Sequence, residues 1–309
     1  MRGIMRHIVL SAVMFVLCAG GAHAERASDP LDATIATSDV AAFFRIYDAA
    51  SGKPTAANLQ AYIDQGSAGV KGFVPDRIVS AENLARAIAA SPETYAEAKA
   101  CAGRLGYVRE RVRAAFLALE ALDPAATYPQ TYILIGAGNS GGTANDEALM
   151  IGLEVVCRPG APDSAPLDVR LTHLIAHEMV HSLQRGFAGE TVLSQSLTEG
   201  AAEFVAELIS GRISNIHLTD WTRGREADIE QRFARDMHGK TLSAWLYNGV
   251  GTPEAPGDLG YWVGYRIVSA YYERQTDKRR ALRDILNATD GPAFLKASGW
   301  RPAAKRSGL

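Results

Sequence analysis

The stretch LTHLIAHEMVHSLQ, residues 171–184, constrains the fold of this chain more than any other, because it separates His177 and His181 by one helical turn. On an α-helix, residues i and i+4 lie on the same face, so both imidazoles can reach one metal ion. Glu178 lies about 100° further round such a helix, where it can accept a proton from water beside the ion. The spacing therefore predicts a helix that carries the HExxH arrangement of zinc hydrolases.

A catalytic zinc site needs a third protein ligand and an open position for water. Glu199 supplies the candidate ligand, because it lies in LTEGAAEFV, a second apolar-patterned helix joined to the first by the short connection RGFAGE. Glu203 follows one turn later and is a candidate partner for the second N–H of a ligating histidine. The alternative is a solvated acidic stripe, which Glu207 would extend. His173, one turn before the motif, is interpreted as a packing or surface histidine.

The combination resembles a known enzyme family. HExxH followed by a glutamate in TEGAAE, residues 198–203, resembles the gluzincin metallopeptidases, and TEGAA is similar to the Asn-Glu-Gly-Phe-Ala segment of zinc aminopeptidases. The chain also resembles a bacterial group described as predicted Zn-dependent proteases. That resemblance covers about residues 130–300, including TYILIGAGNSGGTA, both motif helices and DLGYWVGYRIVSAYYE.

The resemblance implies an α+β fold that is mostly helical and zincin-like, with a small β-sheet before the HExxH helix. It implies one Zn²⁺ held by His177, His181 and Glu199, with Glu178 as the general base. The expected substrate is a peptide or protein. Two alternatives stay open: a non-catalytic metal-binding or scaffold protein that retains the fold, and a zinc hydrolase of non-peptide substrates.

The resemblance also implies a donor to the oxyanion of the reaction. YWVG, residues 261–264, is similar to a Tyr-x-x-Gly segment of the aminopeptidases whose tyrosine donates to the tetrahedral intermediate. Tyr261 is therefore the expected second catalytic residue, and Tyr265 is the alternative on the same helix face. Core packing of both rings is the competing interpretation, and His217 or His238 would then be the donor.

Two further expectations concern the substrate. The strands flanking residues 136–143 would hold an extended peptide by main-chain pairing, as edge strands of this family do. The aminopeptidase segment Gly-x-Met-Glu-Asn, which captures a free amino terminus, has no counterpart in GNSGGTANDE. The sequence therefore favours an endopeptidase or oligopeptidase over an aminopeptidase.

The chain divides into three parts. Residues 1–24 read as a signal peptide, with Arg2 and Arg6, an apolar run, and a cleavage site after Ala24. A helical N-terminal region, residues 25–125, matches no known motif. Residues 126–309 form the expected zincin-like catalytic domain, which begins with the strands QTYILIGAG and LMIGLEVVCRPG. The prediction is a periplasmic or secreted protein.

The charge balance argues against one class of partner. The 32 Lys and Arg residues nearly match the 34 Asp and Glu residues, and no long basic run is present, so nucleic acid is not expected to bind. No segment after the signal peptide is long and apolar enough for a membrane span. In an oxidising compartment Cys101 and Cys157 either pair or remain two buried thiols. The sequence does not indicate an oligomeric state.

Overall fold

The computed structural model describes residues 26–160, 164–213 and 215–304. The predicted signal peptide lies outside the described residues, so its removal and the location of the protein stay predictions. Among the described residues, no helix has the length and apolarity needed to cross a bilayer.

The structure confirms a mostly helical α+β architecture. Its strands are β1 (Ile35–Ala36), β2 (Gln130–Leu134), β3 (Gly142–Ala144) and β4 (Ala148–Gly152). The helices of the N-terminal region are α1 (Ser38–Ala49), α2 (Ala56–Gln65), α3 (Ala68–Phe73), α4 (Ala81–Ala90), α5 (Pro92–Ala102) and α6 (Val108–Leu122). The later helices are α7 (Leu153–Val156), α8 (Leu167–Leu183), α9 (Val192–Ser210), α10 (His217–Trp221), α11 (Glu226–Asp236), α12 (Leu259–Arg274), α13 (Lys278–Asn287) and α14 (Gly291–Ser298).

The four strands form one sheet in the order β1-β2-β4-β3. β1 and β4 run parallel to β2, whereas β3 runs antiparallel to β4 at the edge. All side chains of β4 are buried, as expected for a central strand covered on both faces. Through β1, the N-terminal region contributes a strand to the same sheet as the later part of the chain.

The expected second strand, LMIGLEVVCRPG, is wrong beyond Gly152, where the chain turns into α7. The turn brings Glu154 to the interior, where its carboxylate accepts hydrogen bonds from the main-chain N–H groups of Gly136 and Gly138. It also brings Cys157 to Cys101 at the end of α5, and the two form a disulfide. The sequence had left this pairing open.

Helices α9 and α12 cross in direct backbone contact. A Cβ atom at Gly200 would lie 2.1 Å from the carbonyl carbon of Gly264, and one at Gly264 would lie 1.7 Å from the carbonyl oxygen of Ser196. Only glycine at both positions permits this approach. The crossing fixes α12 against the helix that carries Glu199.

Candidate metal centre

Helix α8 carries the HExxH motif on a buried face. Leu171, Ile175 and Met179 are inaccessible to solvent and anchor this face in the core. His177 and Glu178 are also buried, and only His181, in the last turn, is partly open to solvent. The helix therefore presents both imidazoles at the boundary between core and solvent.

The three expected ligands converge on one point. The Nε2 atoms of His177 and His181 lie 3.0 Å apart. Oε2 of Glu199, from α9, lies 3.4 Å from Nε2 of His177 and 3.2 Å from Nε2 of His181. Donor atoms of a tetrahedral zinc centre with bonds of about 2.0–2.1 Å lie about 3.3 Å apart. The three atoms therefore fit three corners of such a centre, and two imidazoles with one carboxylate are donors that suit zinc.

Glu203 connects two histidines of α8 behind this triangle. Its Oε1 atom lies 3.4 Å from Nδ1 of His177, and its Oε2 atom lies 3.5 Å from Nε2 of His173. Nδ1 of His173 lies 3.1 Å from the hydroxyl of Ser210. A carboxylate on the far nitrogen of a ligating histidine orients the ring and increases its basicity. His173 is thus buried as a packing residue, with both of its ring nitrogens next to polar groups.

The sequence did not reveal a second residue that contacts one of the expected ligand histidines from outside the triangle. The side-chain amide of Gln184, which follows the last turn of α8, lies 2.6 Å from Nδ1 of His181. It orients the second imidazole as Glu203 orients the first. Gln184 belongs to no sequence motif that indicates this contact.

The buried histidines and carboxylates of the cluster shift one another's pKa values. Burial alone lowers the pKa of His177, but the carboxylates of Glu199 and Glu203 outweigh it and raise this pKa well above 6.5. Burial alone raises the pKa values of Glu199 and Glu203, but the facing histidines outweigh it and hold both well below 4.5. The two carboxylates thus stabilise positive charge on the His177 ring.

Glu178 lies beside the triangle against the edge strand. A Cβ atom at Gly142 of β3 would lie 2.5 Å from Oε1 of Glu178, so the glycine makes room for this carboxylate. Burial raises the pKa of Glu178 above its ordinary value of 4.5. A carboxylate with a raised pKa, next to a water position, is suited to accept and return a proton.

The two candidate tyrosines of α12 face different neighbours. The ring of Tyr261 is stacked with that of His177 at a centroid distance of 6.5 Å. The hydroxyl of Tyr265 instead donates to Glu207, away from the triangle. The two histidines named as alternative oxyanion donors have other surroundings: His217 packs on Trp221, and His238 is exposed. The structure therefore brings Tyr261, rather than Tyr265, next to the expected ligands.

Tyr247 is a site residue that the sequence did not reveal. Its hydroxyl donates to Oε1 of Glu199 at 2.9 Å, and its ring meets that of Tyr261 edge-on at 6.3 Å. The residue has a φ of +58°, an unusual backbone conformation for a bulky side chain. This tertiary contact depends on that conformation, which no local pattern indicates.

Buried polar side chains bind the main chain of the loop between β2 and β3. Glu154 accepts from the N–H groups of Gly136 and Gly138 at 2.9 and 3.0 Å. The hydroxyl of Tyr95 donates to the carbonyl oxygen of Gly136 at 3.1 Å. These contacts fix the loop that leads to Gly142, which packs against Glu178.

Comparison with known proteins yields one partial match. Residues 246–302 match the family model described as gliding motility protein GldB. The matched segment includes Tyr247, α12, α13 and α14 but not the HExxH helix. No curated protein and no solved structure shows a significant match to the chain.

Proposed function

We propose that this protein is an exported zinc metallopeptidase with a zincin-like fold. His177, His181 and Glu199 hold one Zn²⁺. The observation that carries the proposal is the triangle of donor atoms with spacings of 3.0–3.4 Å beside the buried carboxylate of Glu178. A site that only stored metal or held the fold together would have no need of that fourth group.

The residues around the site have distinct roles in peptide hydrolysis. Bound zinc supplies Lewis acidity, which lowers the pKa of water and polarises a carbonyl group. Glu178 accepts the proton of the attacking water and delivers it to the leaving amine. Tyr261 donates to the oxyanion that develops on the carbonyl oxygen. The edge strand β3 pairs with an extended peptide and brings its carbonyl to Glu178.

An internal peptide bond fits this arrangement best. Main-chain pairing with β3 grips a peptide on both sides of the cleaved bond without reading its ends. The segment that captures a free amino terminus in aminopeptidases has no counterpart here, which supports an endopeptidase or oligopeptidase. The partial match to GldB and the predicted signal peptide support a location in the cell envelope or outside the cell.

The test compares the mature wild-type chain with Glu178→Gln on a peptide library read by mass spectrometry. Glu178→Gln should keep its zinc and lose at least about 10²-fold in turnover, because proton transfer is removed while the ligands stay. Glu207→Gln, on the same acidic stripe of α9 but outside the triangle, is the matched control and should keep both. A wild-type chain that binds zinc and cleaves no peptide would favour the scaffold alternative. Cleavage by Glu178→Gln at the wild-type rate would contradict the mechanism.

A further inference from the structure

The two oxygens of Glu199 face different partners. Oε2 points to both imidazoles of the triangle, whereas Oε1 accepts the hydroxyl hydrogen of Tyr247 at 2.9 Å. A carboxylate with both oxygens free can bind a metal through either one or both of them. The hydrogen bond from the phenol holds Oε1 toward Tyr247 and leaves Oε2 as the oxygen that faces the imidazoles.

Tyr247 makes this contact from an unfavourable backbone conformation. Trp245 and Leu246, immediately before it, are buried and anchor the segment. Immediately after it, the N–H of Asn248 donates to the carboxylate of Asp258 at 3.1 Å, and the N–H of Asp258 donates to the Asn248 side chain at 2.6 Å. Between these anchors Tyr247 adopts its φ of +58° and directs its hydroxyl to Glu199. Strained backbone persists only where its surroundings enforce it, and it is concentrated at functional sites.

We propose that Tyr247 is a positioning residue for the metal centre. This inference rests on the proposed zinc site. By binding Oε1, the phenol fixes Glu199 so that it presents Oε2 alone to the zinc, and the fourth coordination position stays open for water. Loss of the phenol frees Glu199 to rotate or to bind through both oxygens, which weakens or alters the metal coordination.

Helix α9 provides an internal control for this proposal. Glu207, two turns after Glu199, accepts the hydroxyl of Tyr265 in the same kind of phenol–carboxylate pair. Glu207 lies outside the triangle of His177, His181 and Glu199. Tyr265→Phe therefore removes an equivalent hydrogen bond from the same helix without touching a proposed ligand.

The experiment measures zinc affinity by competition with a chromophoric chelator, and the visible spectrum of the Co²⁺-substituted protein, which reports coordination number. Tyr247→Phe should weaken zinc binding by about 10–100-fold, the usual effect of losing an outer partner of a metal ligand, and should change the Co²⁺ spectrum. Tyr265→Phe should leave both unchanged. Tyr247→Asn, which tolerates a positive φ but lacks the phenol, should weaken zinc binding like Tyr247→Phe even if it relieves backbone strain.

The outcomes separate this inference from the proposed function. A wild-type chain that binds no zinc overturns both. Tight zinc binding by the wild type and equally tight binding by Tyr247→Phe, with an unchanged Co²⁺ spectrum, leaves the metal site standing and overturns the role of Tyr247. Equal weakening in Tyr247→Phe and Tyr265→Phe also overturns it, since the effect would then come from the stability of α9.

Discussion

Because α9 and α12 cross in backbone contact, one methyl group added at Gly264 should have a measurable effect. In Gly264→Ala the new Cβ would lie 1.7 Å from the carbonyl oxygen of Ser196. The helices must separate by about 1.6 Å to restore a normal C···O contact of about 3.3 Å. The obstacle is backbone, which yields less readily than a flexible side chain, so the overpacking cost should be near the upper end of its usual range, about 3 kcal/mol.

Two effects of the substitution oppose each other. Alanine is favoured over glycine in a helix by about 1 kcal/mol, so the free energy of unfolding should fall by about 2 kcal/mol in total. For a chain of this size that lowers Tm by about 4 °C. The shift also moves Glu199, next to Gly200, relative to His177. Misplacement by about 1 Å can cost about 10²-fold in rate, so zinc affinity and turnover should both fall.

The assay combines calorimetric Tm with zinc affinity for Gly264→Ala and for a matched control. Gly106→Ala is the control, because a Cβ atom there meets nothing within 4 Å. If Gly264→Ala has the same Tm and zinc affinity as the wild type, the claim that the close helix crossing positions the site is refuted.

Three other predictions concern stability and catalysis. The Cys101–Cys157 disulfide closes a loop with a sequence separation of 56. Replacing both cysteines by serine should therefore lower the free energy of unfolding by about 2–4 kcal/mol. Urea unfolding curves that are unchanged by the replacement would contradict this prediction. Burial raises the pKa of Glu154 above 4.5, so the folded chain holds the proton of this carboxyl group more tightly than the unfolded chain does. The contribution of Glu154 to stability is therefore lost as the pH rises from 4.5 through the folded-state pKa. Urea titrations across that range should show a smaller decline in Glu154→Gln, and equal declines would contradict the assignment. Tyr261→Phe should lower kcat by about 10²–10³-fold with little change in KM, whereas a larger loss in Tyr265→Phe would reverse the two roles.

The parts of the site that sequence predicted are those governed by helical periodicity. The i, i+4 spacing of His177 and His181 fixes their common face wherever the helix lies. Glu199 and Glu203 were found in the same way, from their positions on a second helix with an apolar pattern. Each of these inferences needs only local structure and one helix–helix contact.

The parts that sequence missed depend on contacts between distant segments. Tyr247 lies before an Asn-Gly turn signal, but nothing local shows that its own backbone takes a positive φ or that its hydroxyl reaches Glu199. Strand β1 has two residues and gains its conformation only by pairing with β2. The expected strand after Gly152 failed because Glu154 and Cys157 are fixed by tertiary partners, which override the β-propensity of the valines between them.

Zinc content of the purified mature protein tests the central claim most directly. Elemental analysis should find one zinc per chain in the wild type and in the control Glu207→Ala, with strong loss of zinc in His177→Ala and Glu199→Ala. Full zinc stoichiometry in Glu199→Ala and His181→Ala, or a wild-type chain that binds no zinc when it is supplied, would contradict the assignment of His177, His181 and Glu199 as a metal centre.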